Sequence, residues 1–135
     1  MARFSVIGAL FGLVAVLLGA FGAHGLEGRV DPDRLAIWAT ASDYLGWHAT
    51  TLLVLGLAGA GLAARRLTLA AAWCLSAGSL IFCGSLYVLV LSGQPAWGAV
   101  TPFGGVLLVI GWGLLAGAAV FGSRPSAPER MPSRD

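Results

Sequence analysis

The sequence predicts an all-α membrane protein: a bundle of four transmembrane helices, both termini cytoplasmic, with a short interfacial helix before the second span. Three observations predict it. The 135-residue chain is 58% hydrophobic and only 10% charged, with a mean hydropathy of +0.86, and so little charge cannot clothe a soluble domain of this size. The apolar residues gather into four long runs, about residues 4–23, 44–64, 67–91 and 103–122. The arginines, which are the only basic residues besides two histidines, cluster on one side of those runs.

Each run holds about 20 residues, which at a rise of 1.5 Å per residue matches roughly 30 Å of hydrocarbon. None carries a charged residue between its ends. Backbone groups in lipid must pair within the segment, so the runs are helices. Barrel strands alternate polar and apolar residues, and these runs do not.

The first run follows Arg3 and ends near Ala20 and Gly22, a pattern shared with cleavable leaders. Its apolar stretch is about twice the length of a typical leader core, so a retained span is expected. With the N-terminus inside, Arg3, Arg65, Arg66, Arg124, Arg130 and Arg134 fall inside, and only Arg29 and Arg34 outside. That bias sets the orientation. The span domain covers residues 1–122. The tail, 123–135, holds three prolines and little apolar content, which predicts a disordered cytoplasmic segment.

Between the first two spans, Asp31 followed by Pro32 reads as an N-cap and first helical residue. Leu35, Trp38 and Ser42 or Leu45 then share a face, which predicts the interfacial helix. A straight helix from Pro32 to Ala64 would be about 50 Å long, so a bend near Gly46 is expected. Residues 92–102 are uncharged and rich in Gly and Pro, a tight irregular connection. The Arg65-Arg66 turn is so short that spans two and three must be antiparallel neighbours.

Trp38, Tyr44, Trp47 and Trp97 fall near the outer boundary and Trp73 near the inner one, as an aromatic belt would. Trp112 lies mid-span, where its indole N–H needs a partner. The chain has 20 glycines. Gly8, Gly12 and Gly19 share a face of the first span, and Gly104, Gly105, Gly113 and Gly117 lie on the fourth. Gly56 and Gly59 lie on the second, and Gly78 and Gly84 on the third. Small residues let helix backbones approach closely in lipid, within the bundle or against a partner.

Depth singles out a polar set. His24 ends the first span, His48 lies about one turn inside the second, Tyr87 about one turn inside the third, and Thr101 begins the fourth. Asp43 and Tyr44 sit just above, with Ser85 and Trp112 close by. Expected at one level near the outer face, these groups must find partners. They form either a hydrogen-bonded cap or a binding site opening outward. A metal or haem site on His24 and His48 is a third possibility, although zinc sites usually need more ligands. Cys74 and Cys83, nine residues apart, fall on nearly opposite helix faces and do not suit an intrachain disulfide.

A net charge of +2 leaves no basic patch for nucleic acid. No HExxH, GxSxG, CxxC or P-loop pattern occurs. No carboxylate lies mid-membrane, which counts against a proton-driven pump.

The run Gly19-Ala20-Phe21-Gly22-Ala23-His24-Gly25-Leu26 is followed by Trp38, Thr40, Ala41, Tyr44 and His48. Gly78-Ser79, Phe82, Gly84-Ser85-Leu86-Tyr87, then Thr101-Pro102, Gly104-Gly105 and Gly111-Trp112 complete the pattern. Together they resemble the domain of unknown function 423 family, also called UPF0382, which is similar to eukaryotic transmembrane protein 256. Leu45 stands where such proteins often have a polar residue. The resemblance spans all four runs and implies a small bacterial inner-membrane protein, without implying a reaction or a cofactor.

The resulting expectation is a non-enzymatic accessory or assembly protein that contacts the lipid bilayer and forms a homo-oligomer or joins a larger membrane complex. A small-solute or lipid-binding transporter or channel is the alternative, and a His-ligated redox or metal protein the next.

Overall fold

The computed structural model describes residues 1–58 and 64–122. The expected disordered tail, Gly59 and the last residues of the predicted second span fall outside the described residues, Ala64 excepted. Four long helices make up the fold. Helix α1, Ala2–Phe21, runs directly into a π-helical turn, Gly22–Leu26. Helix α2 is Pro32–Ala58 and α3 is Arg65–Ser92. A 3-10 turn, Pro95–Ala99, leads into α4, Thr101–Gly122.

Among the described residues, three stretches are long and apolar enough to cross a membrane: Ala2–Leu26, Arg65–Ser92 and Pro95–Phe121. The described part of α2 is not among them. Asp33, Arg34, Asp43 and His48 occupy its first part.

A helix set apart from the second span is corrected by this structure: α2 is one helix of 27 residues, continuous through Gly46 and about 40 Å long. Asp31 starts it, its Oδ1 accepting the backbone N–H of Arg34 at 2.9 Å, and Pro32 takes the first helical position. The first turns of α2 do not lie apart as a surface helix because Trp38 anchors them. Its side chain is 2% exposed, and its indole N–H donates to the Leu18 carbonyl of α1 at 2.7 Å. Trp38 is therefore a core residue and leaves the predicted belt. Trp47 and Trp73 remain largely exposed, and Trp97 partly so.

Helix α1 packs along α2, α2 along α3, and α3 along α4, while α1 and α4 share no extended contact among the described residues. Helices α2 and α3 are the inner pair, with α1 packed on α2 and α4 on α3. Close approach sets the register. A Cβ on Gly8 would lie 2.5 Å from the Leu53 nitrogen and 2.6 Å from the Ala49 oxygen. One on Gly104 would collide with the Phe82 backbone, and one on Gly111 would lie 2.7 Å from the Leu75 side chain. Gly12, Gly19, Gly105 and Gly117 make ordinary contacts with Ala49, Ser42, Phe82 and Leu67. Gly84 and Gly113 meet nothing within 4 Å, so they take no part in packing within the bundle. At about 100° per residue Gly113 lies some 200° round α4 from Gly111, so it faces away from α3.

The core has two parts. Near the Trp38 end, Trp38, Leu45, Cys83, Tyr87 and Val90 pack together. Near the Arg65 end, Phe4, Leu52, Ala72, Leu75 and Leu108 do so. There Phe4 meets the edge of Trp73 at 5.3 Å, and the Arg3 guanidinium lies 5.1 Å from the Trp73 ring centroid.

Candidate functional site

Helical side chains that carry hydroxyls or rings must bond locally or across to a neighbouring helix when water is absent. The predicted polar residues do so in three separate struts. In the first, the Tyr87 hydroxyl of α3 lies 3.1 Å from Ser42 Oγ of α2. Ser42 Oγ itself donates to the Trp38 carbonyl, so its lone pair accepts the Tyr87 O–H. The Trp38 ring packs on the Tyr87 ring at 4.6 Å and bonds on to Leu18. Helices α1, α2 and α3 are thus joined in one chain of hydrogen bonds. Ser42 is the member that the sequence reading left out of the set; its place one turn after Trp38 was the available signal.

The second strut joins α3 to α4. Ser85 Oγ and Thr101 Oγ1 lie 2.8 Å apart, with the Phe82 carbonyl 2.9 Å from Ser85 Oγ and the Trp97 carbonyl 3.4 Å from Thr101 Oγ1.

The third strut crosses from α2 to α4. His48 is 3% exposed. Its Nδ1 lies 2.6 Å from the Tyr44 carbonyl oxygen, and Trp112 Nε1 donates to its Nε2 at 3.2 Å. A carbonyl only accepts, so Nδ1 carries the proton and Nε2 offers its lone pair to the indole. The neutral Nδ1–H tautomer satisfies both contacts. Trp112 thereby has the partner that its mid-helix position demanded.

The expected single level does not exist. His48 follows Ser42 by six residues, about 9 Å along α2. Trp112 follows Thr101 by eleven, about 16 Å along α4. The Ser42–Tyr87 and Ser85–Thr101 pairs lie toward the Trp38 end, and His48–Trp112 lies at the middle of α4. His24 departs further. It is exposed, on the π-helical turn two residues past Gly22, whose Cβ position abuts Trp38. The antiparallel register of α1 on α2 therefore sets the two histidines roughly 16 Å apart along the bundle. Hydropathy edges do not give these levels, because the packing of neighbouring backbones fixes the register. Asp43 is exposed at the side of α2.

A metal site on the two histidines does not fit this geometry: both ring nitrogens of His48 already bond to protein groups, and His24 is far from them. Among the described residues, no three His, Cys, Asp or Glu side chains converge.

Two lateral clefts lie beside the α2–α3 pair. Between α2 and α4 a cleft of about 640 Å³ is walled by Tyr44, Trp47, Phe82 and Trp112, with His48 behind them. Tyr44 stacks on Phe82 at 4.9 Å. The narrower cleft between α1 and α3, about 170 Å³, includes Leu18, Ser79, Cys83, Gly84 and Tyr87 in its walls. Near the Trp38 end, a groove of about 340 Å³ between the π-helical turn and α2 carries the carboxylates of Glu27 and Asp43.

Comparison with known proteins finds a match to the family model described as protein of unknown function (DUF423), over residues 18–105. A UPF0382 membrane protein of Staphylococcus aureus strain RF122 is 42% identical over 115 residues, 85% of this chain and 93% of the relative. UPF0382 membrane protein YwdK of Bacillus subtilis is 41% identical over 120 residues, 89% of this chain and 98% of the relative. A UPF0382 membrane protein of Staphylococcus epidermidis strain RP62A is 45% identical over 112 residues, 83% and 90% of the two chains. No solved structure matches.

Proposed function

The chain belongs to the DUF423 family of membrane proteins of unknown function, and from that premise we propose a non-enzymatic, four-span inner-membrane protein that acts as an accessory or assembly factor. Its four spans are α1, the second apolar run of the sequence, α3 and α4. Both termini are cytoplasmic, as the six-to-two arginine bias indicates.

The observation that carries this reading is the pairing of the polar set. Ser42 with Tyr87, Ser85 with Thr101, and His48 with Trp112 bond to one another across helices. Side chains that could do chemistry in the bundle hold its helices together instead. The surface left for contact is apolar: Leu10, Leu13, Val16 and Leu17 on α1 and Phe103, Val106, Val109 and Val120 on α4 are mostly exposed. Such faces suit lipid and other transmembrane helices.

The test is extraction from native membrane in mild detergent or polymer discs, followed by mass determination of the particle. A homo-oligomer or a partner in fixed stoichiometry is expected. A lone chain under every mild condition overturns the accessory role.

A further inference from the structure

We propose that Arg3 and Arg66 hold the phosphate of an anionic phospholipid whose acyl chains lie along α1 and α3. The site rests on these two helices crossing the bilayer side by side, not on the accessory role or the number of spans. Only its leaflet, the cytoplasmic one, follows from the orientation proposed above.

Charge is divided unevenly along the bundle. Glu27, Asp31, Asp33 and Asp43 all stand toward the Trp38 end, where Asp31 and Arg34 form the one ion pair among the described residues. Arg3, Arg65 and Arg66 stand at the other end, exposed, with no carboxylate side chain there among the described residues. Arg3 is nonetheless held in place. Its guanidinium lies 5.1 Å from the centroid of the Trp73 ring and 5.2 Å from that of Phe4, and those two rings meet edge to face between α1 and α3. Aromatic rings attract the charge, but they offer no oxygen to the five N–H donors of a guanidinium. The Arg3 donors are therefore positioned, exposed and without an acceptor among the described residues.

Register extends the site. Arg66, Trp73 and Leu80 follow one another at seven-residue steps on α3, as Arg3, Leu10 and Leu17 do on α1. Seven residues make about two turns, so each set forms a stripe on one face of its helix, and all six side chains are exposed. Arg66 lies about 10 Å from Trp73 toward the start of α3. That spacing places a headgroup between the two arginines and sets hydrocarbon against Leu10, Leu17 and Leu80. The occupant must carry an anion and apolar chains on one molecule, as a phospholipid of net negative charge does. Arginine grips phosphate oxygens in two places at once, and basic side chains between helices near the membrane surface gather anionic headgroups.

The test reconstitutes the full chain in nanodiscs of phosphatidylglycerol and phosphatidylethanolamine in equal parts, with identical acyl chains. Native mass spectrometry counts the two lipids retained on release. Both leaflets carry both lipids, so the result does not depend on orientation. Wild type should favour phosphatidylglycerol at least about fivefold, the worth of one arginine at an anionic headgroup, and Arg3→Gln should lower the ratio by about that factor. Trp73→Leu leaves every charge in place, yet should lower the ratio about two- to fivefold, because the ring no longer holds Arg3. Arg29→Gln removes the same charge toward the Trp38 end and should leave the ratio unchanged. Thermal unfolding in the same discs checks that each variant folds. If Trp73→Leu does not, Arg3→Lys takes its place, since it keeps the charge and loses the planar group that stacks and grips phosphate. Equal retention of the two lipids by wild type overturns the proposal. So does a ratio unmoved by Arg3→Gln or by the charge-conserving variant, or one that falls as far in Arg29→Gln, because the attraction is then diffuse or the arginine serves another occupant.

Discussion

The indole of Trp112 donates its only N–H to Nε2 of His48, 3.2 Å away and 64 residues earlier in the chain. The bond links α2 to α4, the two helices that face each other across the larger lateral cleft. It also fixes the imidazole tautomer, because the Tyr44 carbonyl occupies the other nitrogen. A double-mutant cycle with His48→Ala and Trp112→Phe, read as unfolding free energy in bicelles, should return a coupling of about 0.6–1.7 kcal/mol. A coupling indistinguishable from zero would mean that the two rings are merely adjacent.

Glycines that look alike in the sequence should respond differently to substitution. Gly104→Ala drives a methyl into the Phe82 backbone, which cannot yield as a side-chain tip does. A cost of about 1–3 kcal/mol is expected from overpacking. Gly113→Ala places its methyl in open space and should be neutral or slightly stabilising, since alanine is the better helix former. Melting temperatures in one detergent, compared side by side, check the contrast. Equal losses would mean that α4 is rotated from the orientation described.

Trp38 and Trp47 make the same point for aromatics. Trp38→Ala removes a ring that is 2% exposed and packs on Tyr87, together with the donor to Leu18. About 3–5 kcal/mol should be lost. Trp47 is 61% exposed, and Trp47→Ala should cost well under 1 kcal/mol. Chemical denaturation of the two variants in matched micelles would separate them, and a tolerant Trp38 would remove the anchor that holds the first turns of α2 against α1.

These contrasts mark what the sequence could and could not disclose. Hydropathy revealed α1, α3 and α4 because lipid selects apolar residues on every face of a span. The same uniformity hid the packing. When both faces of a helix are apolar, no period distinguishes the buried face from the one in lipid, so the sequence does not tell Gly113, which meets nothing within 4 Å, from Gly104, which abuts Phe82. The π-helical turn at Gly22–Leu26 was equally invisible: Gly22 is needed there because the Trp38 ring lies against it, a contact made sixteen residues away. Trp112 was the exception, since an indole N–H at mid-membrane implies a partner wherever the helix turns.

Gly93 ends α3 with φ of 69°, in the left-handed region. Its N–H caps the Leu89 carbonyl at 2.9 Å, and the Arg34 guanidinium lies within 3.1–3.6 Å of where its Cβ would be. Gly93→Ala therefore combines backbone strain with displacement of a cation from the negative end of the α3 dipole. A loss of about 1–2 kcal/mol is expected. Arg34→Gln should cost less than 1 kcal/mol, since the guanidinium is 41% exposed and its ion pair with Asp31 is a surface one. Thermal shift of the two single variants orders these contributions, and a larger loss for Arg34→Gln would reverse the assignment.

The four-span reading makes a parity claim that fusion reporters can decide. If the second apolar run crosses the bilayer, an alkaline phosphatase joined after Arg29 is exported and active, and one joined after Gly122 is retained and inactive. A fluorescent protein at the second site should glow, because it matures only in the cytoplasm. A three-span chain would carry its C-terminus outward and invert the Gly122 result while leaving the Arg29 result in place. The stretch with the strongest leverage is Arg65-Arg66, which holds two of the six inward arginines between two spans. Replacing both with Gln should weaken the bias and yield a mixed population at Gly122. An unchanged, fully retained reporter there would mean that the remaining arginines set the orientation.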